Sequence, residues 1–324
     1  MKNIRPRIPA IFTAAILPVF LLLLMSGCAS GNGSFAESAD AQQSAAAQEE
    51  ALGEGQDASA DARTDQDTSA EMEFTDVYGN VHTLIVDQTA AMHDYDRSAF
   101  AADGQKMTYT DSEHYAYRLG IDVSYYQGEI DWTAVKAAGY DFVLIRIGLR
   151  GYGEAGNLAE DEMFAENLSG AQAAGLDAGV YFYAQAVSEE EAAEEAAFVL
   201  EILDGAQLEL PVVYDPEYVL DEEGNQIADA RTSGLSGTQV TADTQTFCAA
   251  IEKAGYKAAF YSNMLSESEV FDMTVLSAYT VWYADYEDAP QTPYAFSFWQ
   301  YSESGTVDGI SGAVDLNIQL LPTD

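Results

Sequence analysis

Basic residues are scarce in this chain. Lys and Arg together number 13 against 54 Asp and Glu, for a formal charge of −41. Nucleic-acid phosphates would be repelled by such a balance, so a nucleic-acid partner is excluded; the acidity reads mainly as solubility. Histidine is scarcer still, limited to His82, His93 and His114. A zinc centre of the usual kind would find no imidazole after residue 114, and no metal or other cofactor is expected, although oxygen-only ligation of calcium stays open. Cysteine occurs only at positions 28 and 248. No internal repeat is visible, which sets aside a solenoid.

Long apolar runs are also lacking, with one exception. "AIFTAAILPVFLLLLMSGC" (10–28) follows Lys2, Arg5 and Arg7, with no acid before it. This has the n-region and h-region of a secretory signal. A transmembrane helix competes, because the run approaches the ~20 apolar residues that a span needs. Small Ser26 and Gly27 directly before Cys28 tip the choice. "LLMSGC" resembles a bacterial lipobox, with Met25 where Leu is more usual, and implies cleavage and lipid modification of Cys28. The expectation is an exported lipoprotein held by its lipid at the outer face of the cytoplasmic membrane or in the envelope. Cys248 is then the only other thiol, so no intramolecular disulfide framework is available. It lies in "TFCAAIEKAG", a helical pattern, as a small core residue.

After this segment (1–28) the composition divides the chain. Residues 29–70 are Ala, Ser, Gly, Gln and acids with almost no large apolar side chains, the composition of a disordered, self-repelling tether. "EFTDVYGNVHTLIVD" (73–87) alternates around Gly79-Asn80 and predicts a β-hairpin, within a small accessory region over 71–118. From 119 to 324, eight strand-like segments appear: "RLGIDVS", "FVLIRIG", "AGVYFYA", "LPVVYDPE", "KAAFYSN", "TVWYADY", "FSFWQYS" and "VDLNIQL". Helical stretches separate the earlier ones, and Ser188 with Glu191 forms a capping box. Such alternation predicts an α/β fold, an irregular TIM-barrel-like (β/α) barrel whose functional residues collect at the C-terminal strand ends. The last two strands leave little room for a helix between them, so a regular eightfold barrel is not expected.

"LPVVYDPE" (210–217) poses the chemical question. An apolar strand ends in Asp215 and Glu217, two residues apart and so on one face. Asp122 closes "RLGID", Asp285 closes "VWYAD" and Asp315 lies in "VDLN". If these ends share a rim, carboxylates in unequal surroundings separate in pKa, the equipment for splitting a glycosidic bond. Alone, Asp-x-Glu is a weak motif, and solvated acids are the competing reading. Aromatic residues near the strand ends add weight: Tyr125, Tyr126, Tyr181, Tyr183, Tyr261, Trp282, Tyr283, Tyr286, Trp299 and Tyr301. Sugar rings stack on such faces, although strand parity commits about half of them to a core. "YY" (125–126) and "WQY" (299–301) are the better binding candidates.

Longer stretches are specific. "GIDVSYYQGEIDWTAVKAAGYDFVLIRIG" (120–148), the segment 150–186, Asp215-Pro-Glu217, "VWYADY" and "FWQYSESGTVDGISGAVDLN" follow in order and resemble the glycoside hydrolase family 25 muramidases. The resemblance spans about 120–320. It implies cleavage of the β-1,4 bond between N-acetylmuramic acid and N-acetylglucosamine, with peptidoglycan strands as partner and a monomer expected. Matched by position, Glu217 is the general acid, Asp215 stabilises positive charge on the sugar or its acetamido group, and Asp122 and Asp315 are supporting acids. Tyr125, Tyr126, Tyr183, Tyr261, Trp282, Asp285, Trp299 and Tyr301 are expected to bind the glycan. A direct nucleophile and an acetamido-assisted route both stay open; carboxyls about 5–5.5 Å apart would fit the former. A non-catalytic peptidoglycan-binding lipoprotein on the same fold is the alternative, and the presence of all four acids counts against it. A lipid-anchored solute receptor should show two lobes, which a single run of βα units does not. "YVLDEEGNQIADARTSGLSG" (218–237) reads as a polar loop near the site.

Overall fold

The computed structural model describes residues 69–76, 79–111, 113–220 and 226–323. The expected signal segment, Cys28 and the expected tether up to residue 68 lie outside the described residues. Ser69 and Ala70, expected at the tether's end, already pair with Asp87 and Val86.

The accessory region consists of two small antiparallel hairpins. Strands β1 (Ser69–Thr75) and β2 (Val81–Asp87) form the first, and β3 (Phe100–Asp103) and β4 (Lys106–Tyr109) the second. The remaining elements follow in order: β5 (Tyr115–Val123), α1 (Trp132–Ala137), β6 (Phe142–Arg150), β7 (Leu158–Glu160), α2 (Phe164–Ala173), β8 (Asp177–Ala184), α3 (Glu189–Leu203) and β9 (Val212–Pro216). Then come α4 (Gly237–Lys253), β10 (Ala258–Asn263), α5 (Met264–Glu269), α6 (Met273–Leu276), β11 (Thr280–Ala284), β12 (Phe298–Gly305) and β13 (Val314–Pro322). β5 starts four residues before the expected boundary at 119, because Tyr115 to Arg118 continue its ladder with β13.

Eight strands close into a barrel, with β5 pairing both β6 and β13, and β7 adds to the outer edge of β6. Seven run parallel. β13 is antiparallel to both of its neighbours, β12 and β5. The absent helix between the last two strands is the reason, since antiparallel strands can be joined by a short turn whereas a parallel pair needs a crossover. This reversal brings the start of β13 to the rim where the other strands end.

Strand parity divides the side chains. Phe142, Leu144, Val213, Ala259, Trp282 and Phe298 fill the barrel interior. A Cβ on Gly120 would lie 2.3 Å from the Phe142 ring, so glycine there is what lets that ring occupy the interior. Residues of opposite parity, such as Phe182, Tyr214, Phe260 and Trp299, face the larger outer core. Over the early strands that core is completed by helices. α3, for example, opens where the Ser188 hydroxyl accepts from Glu191 N at 3.4 Å. Cys248 on α4 is free and fully buried, with no disulfide. Over β12 and β13 the accessory region takes the place of a helix among the described residues. Phe100 meets Trp299 edge-on at 5.1 Å, and Tyr95 meets Phe296 at 4.9 Å.

Candidate active site

Asp122 at the end of β5 and Asp215 at the end of β9 both point inward, Glu217 follows β9, and Asp315 opens the reversed β13. All four line one cleft of about 410 Å³, together with Tyr126, Tyr183, Tyr261 and Trp282.

Asp122 and Asp315 face each other across the β5–β13 ladder and share a hydrogen bond. The Gln300 amide donates to Asp122 Oδ2 at 2.9 Å and Asp315 Oδ2 at 3.3 Å, and the Asn317 amide donates to Asp122 Oδ2 at 2.7 Å. Both amides are held from behind. Tyr261 and Tyr286 donate hydroxyls to Gln300 Oε1 at 3.0 and 3.1 Å, while Trp282 Nε1 donates to Asn317 Oδ1 at 2.8 Å. Their N–H groups are therefore committed to the acids. Burial raises the Asp122 pKa, and these donors oppose it. Burial and the Asp122 charge push Asp315 up to about 9, so Asp315 carries the proton of this pair at neutral pH.

The opening motif of β9 supplies a second pair in a poorer environment. Asp215 is only 5% exposed, and its Oδ1 has no hydrogen-bond partner. Burial, then the charges of Glu217 and Asp122, raise its pKa well above the usual range, while Arg146 pulls it down. Glu217 is pushed up to about 7 by burial and then by Asp122. The two titrate as a pair that holds a proton at neutral pH. Asp215, the more deeply buried of the two, has the greater claim to it.

Arg146, Gln300 and Asn317 were not anticipated from the sequence. Each is a polar residue inside an apolar strand, in "FVLIRIG", "FWQYS" and "VDLNIQL", and that interruption was the available signal. Arg146 Nε donates to Asp161 Oδ2 at 2.8 Å. Its guanidinium lies 5.0 and 5.4 Å from the ring centroids of Tyr125 and Tyr126, a cation–π arrangement. Its Nη2 is buried without a hydrogen-bond partner, and the side chain forms part of the cleft wall.

The aromatic candidates separate. Tyr126, Tyr183, Tyr261 and Trp282 line the cleft. Tyr125 flanks it, with its ring 4.1 Å from that of Tyr126 on a 3-10 turn capped by Ser124. Trp299 and Tyr301 do not reach the cleft, and the expectation that they bind glycan is corrected. On β12 it is Phe298 and Gln300 that face inward. Trp299 and Tyr301 therefore point to the outer core, where Trp299 Nε1 donates to the Asp285 carbonyl at 2.7 Å. Asp285 lies beside the cleft, not in it. Its carboxylate is occupied by the Tyr283 hydroxyl at 2.7 Å and Gln291 N at 2.8 Å, so it shapes the 285–291 loop. Among the described residues, no group of three or more His, Cys, Asp or Glu could hold a metal ion.

The 218–237 segment reaches the site through its described part. Arg231 donates to the Gln185 carbonyl at 3.0 Å and to Glu191 at 2.7 Å, and Thr232 donates to Gln185 Oε1 at 3.1 Å. The Gln185 amide in turn donates to the Glu217 carbonyl at 2.6 Å, which fixes the backbone of the outer acid.

A barrel whose rim gathers two coupled carboxyl pairs beneath aromatic walls is a glycosidase-type site. The chain belongs to the glycosyl hydrolases family 25, whose model matches residues 121–310. It is 32% identical over 208 residues to lysozyme M1 of Streptomyces globisporus, covering 61% of this chain and 66% of that protein. It is 27% identical over 199 residues to the autolytic lysozyme of Clostridium acetobutylicum, covering 61% of this chain and 54% of that one. The matches thus span less than two thirds of these relatives. Among solved structures, the modular autolysin LytC of Streptococcus pneumoniae has the same fold, with a TM-score of 0.53 at 21% identity, covering 76% of this chain and 56% of that one. A family 25 glycosyl hydrolase from Bacillus anthracis gives a TM-score of 0.51 at 20% identity, with 67% of this chain and 94% of that one covered.

Proposed function

We propose that this protein is a muramidase that cleaves the β-1,4 bond between N-acetylmuramic acid and N-acetylglucosamine in peptidoglycan. The convergence of Asp122, Asp215, Glu217 and Asp315 in one cleft carries this reading, and membership in a family whose relatives include lysozymes supports it.

In this reading Glu217 donates its proton to the departing sugar oxygen, and Asp215 faces the positive charge that develops on the sugar ring or its acetamido group. Burial favours a proton on Asp215, but a cationic sugar beside it reverses that preference. Positive charge stabilises the Asp215 anion, as Arg146 already does in part, and leaves the proton of the pair on Glu217. The Asp122–Asp315 pair supplies a further anion with its hydrogen bonds already made. Tyr126, Tyr183 and Tyr261 offer faces and hydroxyls to the sugars, and Trp282 closes the floor.

Mass analysis of muropeptides after digestion of purified peptidoglycan tests the cleavage. New reducing N-acetylmuramic acid ends are expected, and intact strands or reducing N-acetylglucosamine ends would overturn the reading. We further propose that the chain acts at the cell envelope through a lipid on Cys28, because "LLMSGC" has a lipobox pattern. Metabolic labelling with a fatty-acid probe should mark the wild type and not Cys28→Ser; equal labelling would refute the anchor.

A further inference from the structure

A second cavity, of about 200 Å³, opens beside the cleft. Glu217, Tyr261, Tyr286 and Glu303 line both spaces, so the two are continuous. Asp122, Asp215 and Asp315 line only the cleft. Glu217 therefore stands at the junction, with the other three acids to one side of it.

The second cavity is built partly by the accessory hairpin. Thr75 and Asp76, at the end of β1, line it together with Met264 and Leu265 of α5. This placement is held by specific bonds. Thr75 N donates to Gln291 Oε1 at 3.1 Å, and Gln291 Nε2 donates back to the Thr75 carbonyl at 3.1 Å. Gln291 is itself fixed by Asp285, whose Oδ2 accepts from its backbone N at 2.8 Å. Asp76 is held through His82 Nε2 at 2.8 Å and Asn80 N at 2.8 Å. The hairpin precedes the family-matched residues 121–310, so this wall is built from chain outside the family match.

The lining combines aromatic and aliphatic faces with carboxylates and a side-chain amide, the surface that an amino sugar requires. We propose that the hairpin pocket is the subsite for the leaving half of the glycan, holding an N-acetylated amino sugar beyond the scissile bond. The inference rests on the muramidase reading. If Glu217 protonates the bridging oxygen, the sugar bearing positive charge lies on the Asp215 side, and the departing sugar lies on the hairpin side.

The test uses the full chain carrying Glu217→Gln, so that substrate persists, and a peptidoglycan tetrasaccharide with a paramagnetic label at one end. With the label at the reducing end, the leaving half, the backbone amide signals of Thr75 and Thr83 should broaden; with the label at the non-reducing end they should not. Adding Thr75→Trp, which fills the pocket from an exposed strand position, should weaken tetrasaccharide binding roughly tenfold, the loss of about 1.4 kcal/mol. Gln291→Ala, which unhooks the hairpin, should act in the same direction. Broadening from the non-reducing label only, or unchanged affinity in both folded variants, would overturn the subsite while leaving the muramidase reading intact. A tetrasaccharide that does not bind at all would overturn both.

Discussion

Glu195 and Glu217 are both pushed up to about 7, and burial is the largest cause for each. Their surroundings differ. Glu195 on α3 is fully buried, and three donors oppose its burial: Arg150 Nε at 2.8 Å, Tyr214 OH at 3.0 Å and Gln185 N at 3.2 Å. Glu217 has only raising influences, burial and the Asp122 charge. One strand serves both sites, because Tyr214 points outward to Glu195 while Asp215 points inward to the cleft. The lesson is that a similar pKa arises by two routes. At Glu195 every carboxylate oxygen is engaged and a proton change would break a network. At the cleft the partners are withheld, and the proton stays available to a bound molecule.

The largest effect should come from removing the available proton. Glu217→Gln keeps the shape and has no acid to donate, so turnover on peptidoglycan should fall by about 10²–10⁴-fold with the melting temperature held. Near-normal turnover would end the assignment of Glu217 as the acid. The other side of the comparison predicts the reverse pattern. Glu195→Ala leaves Arg150 buried without its main partner and should cost about 3–5 kcal/mol of stability, read by denaturant unfolding. A loss well below that would show that Glu191, Glu194 and water can replace Glu195.

Asp215 sharpens the contrast through pH. Its folded pKa is raised, so the native state binds a proton that the unfolded chain releases near its ordinary value of about 4. The stability linked to that proton is full below about pH 4 and is lost as pH rises toward the folded value. Asp215→Asn removes this loss, and its melting temperature should exceed that of the wild type increasingly from pH 5 to pH 8, while activity falls. Parallel curves across that range would say that Asp215 is not held protonated. The smallest effect is a displacement rather than a loss. Activity that needs protonated Glu217 should decline on the alkaline side near pH 7, and Asp122→Asn should move that limb to lower pH by removing a raising charge. An unmoved limb would uncouple the two pairs.

Much of this arrangement was legible beforehand. All eight barrel strands and the first hairpin follow from alternation, turn residues and apolar runs, which are local properties. The reversal of β13 was foreshadowed only as a missing helix. Which aromatics bind was less accessible. In "FWQYS" parity says that Trp299 and Gln300 face opposite ways, but not which of them faces inward. The accessory region hid that answer, because Phe100 arrives from nearly 200 residues upstream to cover Trp299.

By itself, then, the sequence determined the strands, the helices that could form between them, and the end of β9 at which Asp215 and Glu217 stand on one face. These are consequences of spacing along the chain, and spacing is written in the chain. Tertiary structure alone decided that β13 would carry Asp315 back to Asp122, that Gln300 and Asn317 would spend their amides on those acids, and that Asp215 Oδ1 would have no partner. Those outcomes depend on which distant strands close the barrel and on how much water their closure removes. A carboxyl's pKa is set by what surrounds it in space, and most of what surrounds Glu217 is far from it in sequence.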